Sequence, residues 1–140
     1  MRRISKFLNL SSAEQRLLIK AWILLGLIRL GLELFPFSTL RKLLDRLRPI
    51  LGGFEKESSE EHLVWAVTVV SRYIPMATCL AQALTAQFLL QQVGHQACLH
   101  IGVEEAEKGG LKAHAWVESQ GRILIGGIDL NRYTHLLALE

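Results

Sequence analysis

Three residues in the C-terminal half carry the chemistry of a thiol hydrolase: Cys79, His114 and Asp129. A thiol that attacks a carbonyl needs a base to take its proton. The base in turn needs a group that holds its ring in one orientation. Cys79 opens the stretch "TCLAQALTAQFLLQQVG", in which Thr78 reads as an N-cap and Gly94 as a helix stop. In the first turn of a helix, unpaired backbone N–H groups and the positive end of the dipole favour a thiolate, and the same groups can bind an oxyanion. A position in mid-helix offers neither. Most free cysteines are small buried hydrophobes, so this placement alone does not decide the role.

His114 stands in "AHAWVES", where alternation puts His114, Trp116 and Glu118 on one face of a strand. A lone histidine of this kind is usually structural; the argument rests on the pair. Asp129 is the only aspartate past Cys79 and lies fifteen residues beyond His114. It is either the orienting acid or the N-cap of a short C-terminal helix or turn, "DLNRYTHLL". Asn131 and Glu118 are the other candidates, although Glu118 sits four residues along the strand, ~13 Å from His114. Cys98-x-His100 lacks the tight ligand spacing of a zinc site, so no metal or organic cofactor is expected. His62, His95 and His135 read as surface residues and Trp22 and Trp65 as core, while Trp116 could wall a groove.

The elements that must position these residues follow from capping and periodicity. Ser11-x-x-Glu14 is a capping box opening a first helix that runs to about Phe35, before Pro36. Ser38 is the expected cap of a second helix, ended by Pro49 and Gly52-Gly53. A third helix continues through His62–Tyr73, with Leu63, Ala66, Val67 and Val70 on one apolar face. After Gly94 the period becomes two: Ala97, Leu99, Ile101 and Val103 alternate with Cys98, His100 and Gly102. A loop, "EEAEKGG", leads to a second strand over Ala113–Ser119, and a tight turn at Gln120-Gly121 leads to a third over Arg122–Ile125. The expected fold class is α+β, with N-terminal helices followed by a small antiparallel meander. One domain, 1–140, is divided into a helical part, 1–73, and a catalytic core, 74–140.

Composition agrees with a globular chain: 140 residues, 50% hydrophobic and 21% charged. Two cysteines are too few for a disulfide framework, which points to a reducing cytoplasm. The net charge of +3 is unevenly spread. Residues 1–50 carry ten Lys/Arg against three acids, a balance of +7, and residues 51–140 carry six against ten, a balance of −4. The basic half could face anionic lipid, nucleic acid or an acidic partner. The apolar run of the first helix is a poor membrane span: its longest uncharged stretch, Ala21–Ile28, rises only ~12 Å. Lys20 and Arg29 fall on opposite sides, leaving no broad polar face. Burial among neighbouring helices is the favoured reading, and docking on an apolar surface the other.

The blocks "ATCLAQALTAQFLLQQVGH", "LHIGV" and "AHAWVESQGRILIGG" together resemble the transglutaminase-like, papain-like cysteine peptidases of lasso-peptide biosynthesis, and most closely their stand-alone leader peptidases. The resemblance implies Cys79 as nucleophile, His114 as general base and an Asp after the next strand. Where that Asp is expected the chain reads Gly126-Gly127, which makes Asp129 a displaced substitute. It also implies a precursor-peptide substrate, a separate leader-binding protein, a lasso cyclase in the same pathway, and no nucleic acid. Peripheral membrane contact through the first helix is a further expectation. The alternatives are a catalytically silent adaptor and an acyltransferase sharing the thiol chemistry.

Overall fold

The computed structural model describes residues 8–48, 60–73, 78–105, 109–125 and 134–139. Helix α1 spans Ser12–Leu34. The capping box is formed: the Ser11 hydroxyl accepts from the Glu14 backbone N–H and donates to the Glu14 carboxylate at 2.9 Å. Helix α2, Phe37–Leu47, starts earlier than the sequence suggests. Pro36 holds the N-cap position, because its fixed φ already suits a helix entry and it has no N–H to satisfy. Ser38 lies inside the first turn instead of capping it. The two helices approach closely at Gly31, where a Cβ would stand 2.7 Å from Leu40 Cδ1.

Helix α3, Glu60–Ser71, buries Leu63, Ala66, Val67 and Val70, the face expected from their spacing. Its first-turn acids hold the sheet: Arg122 donates to Glu60 at 3.1 Å and to Glu61 at 3.0 Å, and the Ser119 hydroxyl donates to Glu60 at 3.0 Å. The Glu61 carboxyl is held below its ordinary range by the backbone N–H at the helix start and then by Arg122. Helix α4, Cys79–Gln92, is buried along nearly its whole length, from Ala81 to Leu90.

Four strands follow: β1 (Cys98–Glu105), β2 (Leu111–Ser119), β3 (Arg122–Ile125) and β4 (Thr134–Leu139). They form one sheet in the order β3-β2-β1-β4, with antiparallel neighbours throughout. The first three make the expected meander, and positive φ at both Gln120 and Gly121 fits the tight turn between β2 and β3. The fourth occupies Thr134–Leu139, where one of the two sequence readings of Asp129 expects a short C-terminal helix or turn, "DLNRYTHLL". Six mostly apolar residues are too short for a stable helix, and the second edge of β1 offers a ladder to pair with. Leu99, Ala115 and Val117 of the sheet join α1, α3 and α4 in one core. The α+β class stands.

Helix α1 departs most from expectation. Its inner side, including Leu17, Ala21, Leu24, Leu25 and Ile28, is core. Its outer side is apolar and exposed: Ile19, Trp22, Ile23, Leu27, Leu30 and Leu34 recur at helical spacing. Trp22 is 53% exposed and therefore not a core residue. Trp65 packs partly buried against the core. No helix among the described residues is long and apolar enough to cross a membrane.

The two sides of α1 should respond differently to substitution. Leu25, fully buried, should lose about 2–5 kcal/mol on Leu25→Ala. Leu27→Lys, at a site 58% exposed, should stay within ~0.5 kcal/mol of the parent. Urea denaturation measures both, and equal losses would contradict the assignment.

Candidate active site

Thr78 fixes where α4 begins. Its backbone is extended and its hydroxyl accepts from the Ala81 N–H at 3.1 Å. The Gln82 N–H bonds the Thr78 carbonyl at 3.0 Å and starts the regular ladder. That bookkeeping leaves the N–H groups of Cys79 and Leu80 outside the intrahelical pattern, at the positive end of the helix. Cys79 is a free thiol, partly exposed, as the first helical residue. The other end of α4 is tied to the sheet, since Gln87 and Gln91 both donate to the Ala97 carbonyl, at 3.3 and 3.2 Å.

His114 lies near the start of β2, partly buried, paired through the backbone with Gly102 of β1. Glycine presents no side chain beside the imidazole. Next on the same face is Trp116, whose ring stacks on His114 at 6.1 Å between centroids with 25° between planes. Trp116 is 6% exposed but stands apart from the main core cluster, to which Ala115 and Val117 belong. The alternation expected for "HAWVE" is therefore realised: His114, Trp116 and Glu118 share the face turned away from the Ala115/Val117 core.

Glu118 is not beside His114. Its carboxylate lies 3.1 Å from His100 Nε2, and the His100 ring stacks on Trp116 at 5.5 Å, nearly parallel at 7°. The described contact of Glu118 is thus with His100. The His100 pairing also gives that residue a structural role that sequence reasoning missed. It was legible in principle: once Val103 pairs with Ala113 across the loop, counting back sets His100 opposite Trp116 and Cys98 opposite Glu118. Asp129 and Asn131 lie outside the described residues, as does the side chain of His135. His62 and His95, read as surface residues, are only partly exposed and approach Glu14 (3.7 Å) and Glu60 (3.8 Å).

Cys79 is thus a thiol at the start of a side-chain-capped helix, and His114 an imidazole on a strand of the adjoining sheet. A family model described as the transglutaminase-like superfamily matches residues 22–138, and the chain belongs to that superfamily. The superfamily includes cysteine peptidases and acyltransferases, and its catalysis is usually cysteine-dependent. No curated protein and no solved structure matches the chain.

The cap is the local determinant of where Cys79 sits. Thr78→Ala should reduce stability by about 1 kcal/mol, and Thr78→Ser should retain most of it, since serine keeps the accepting oxygen. Thermal unfolding of the three proteins provides the comparison.

Proposed function

We propose that the protein is a cysteine peptidase that removes the leader from a ribosomally made lasso precursor, with Cys79 as nucleophile and His114 as general base. The observation that carries this reading is Cys79 as the first residue of a side-chain-capped helix, within a chain of the transglutaminase-like superfamily. Helix α4 is joined to β1 by residues 93–97 and packs along β2, which supports bringing its first turn to the end of the layer where β2 begins. His114 faces away from the core, so thiol and imidazole would meet around that end of the sheet, not through it.

In the first half-reaction His114 takes the Cys79 proton and the sulfur adds to the scissile carbonyl. The resulting oxyanion is received by the N–H groups of Cys79 and Leu80, each contributing about 3 kcal/mol. Collapse breaks the C–N bond, and the imidazolium gives its proton to the departing amine. In the second, His114 deprotonates a water that attacks the thioester, the C–S bond breaks, and a carboxylate and the free thiol remain. No step needs a metal or organic cofactor. The reading places the protein in the cytoplasm, with a separate leader-binding protein presenting the precursor and a lasso cyclase taking the product.

Precursor cleavage, followed by mass spectrometry with the leader-binding protein present, is the test. Cys79→Ala should abolish cleavage, and His114→Gln should slow it by at least ~10²-fold. Unchanged processing by Cys79→Ala would leave a binding adaptor as the reading. A product differing from the hydrolysis product by the mass of an amine or alcohol less one water would make the protein an acyltransferase.

Asp129 is proposed as the orienter of His114. Asp129→Ala should slow cleavage about ten-fold or more, because an orienting acid holds the imidazole without making or breaking the scissile bond. Cleavage at the parental rate would assign the role elsewhere, to Asn131, to Glu118 or to a Cys–His dyad.

A further inference from the structure

We infer that a stack of three rings, His114–Trp116–His100, pinned at its far end by Glu118, sets the plane of the His114 imidazole and makes His100, Trp116 and Glu118 positioning residues for the reaction. The inference rests on the reading of His114 as general base. It does not depend on which substrate is cleaved.

The register builds the stack. His100 and Trp116 are direct cross-strand partners, and His114 is two residues from Trp116 on the same face. The Trp116–His100 planes are 7° apart at 5.5 Å and the Trp116–His114 planes 25° apart at 6.1 Å, both within the range of attractive ring pairs. The stack has little freedom to slide. Trp116 is almost fully buried, and His100, whose side chain is 16% exposed, lies 3.1 Å from the Glu118 carboxylate. An ion pair or charge-assisted bond with one largely shielded partner fixes the outer ring, which fixes the indole, which limits tilting of His114.

Stacking acts on ring faces. Both nitrogens of His114 lie in the ring plane, so a contact on the ring face does not itself occupy them. Gly102, the cross-strand neighbour of His114 in β1, adds no side chain that would hold the imidazole sideways. The indole therefore supplies a lateral constraint that Gly102 does not. A carboxylate orienter controls tautomer as well as direction; a ring stack controls only the plane. Its loss should misdirect the base without removing it.

The readout is alkylation of Cys79 by iodoacetamide as a function of pH, with the modified peptide identified by mass to separate it from Cys98. Thermal unfolding confirms that each variant is folded. In the parent, His114 should accelerate alkylation at neutral pH by taking the thiol proton. His114→Gln should remove that acceleration. His100→Leu and Glu118→Gln should each lower it by about ten-fold while leaving the rate at strongly alkaline pH parental, since there the thiolate forms without help. His100→Phe, which keeps a ring but not the bond to Glu118, should recover part of the loss. A purely structural role would alter stability and not the shape of the profile. Parental profiles for His100→Leu and Glu118→Gln beside an altered one for His114→Gln would overturn the stack and leave the base intact. A parental profile for His114→Gln would remove both.

Discussion

One constraint organises the molecule: helix α4 is apolar around nearly its whole circumference and must be enclosed. A helix with no polar side is stable only when it is surrounded. Here α1 and α3 cover it from one direction and the β1–β2 part of the sheet from the other. Even its polar members turn inward with partners: Thr85 donates to the Ala81 carbonyl and Gln87 to the Ala97 carbonyl. Cys79 sits at the N-terminal end of this buried helix, where enclosure gives way to partly exposed residues.

Much of this was legible in the sequence because the signals are local. Ser11 and Glu14 satisfy each other within one turn, Thr78 bonds the N–H three residues on, and Gln120-Gly121 suits the positive φ values of the turn. Periods of 3.6 and 2 separated helices from strands. The errors came where the deciding partner lies far away in sequence. Thr134–Leu139 is a strand because β1 has an edge some thirty residues upstream, and nothing in the segment itself says so. Trp22 is exposed because α3 and α4 cover only one side of α1, whose composition is apolar on both.

The candidate site divides in the same way. The helix-start thiol and the shared face of His114, Trp116 and Glu118 follow from short-range rules. That Glu118 serves His100 instead of His114 is a matter of register, fixed by how the β1–β2 hairpin closes. Glu118 is four positions from His114 along the same strand, whereas His100 lies diagonally across the ladder from it. The acidic candidate of the sequence, Asp129, belongs to a stretch whose neighbours cannot be derived from spacing, because Gly126 and Gly127 ahead of it impose no preferred backbone path.

The outer side of α1 has a consequence for the energetics of the isolated molecule. At roughly 150–250 Å² for a large aromatic and somewhat less for a leucine, its half-exposed side chains leave several hundred Å² of hydrocarbon in contact with water, at the upper end for a monomer. Water ordered over that area makes no contribution to holding the fold together. The free energy stored in this wet hydrocarbon is released only by drying it.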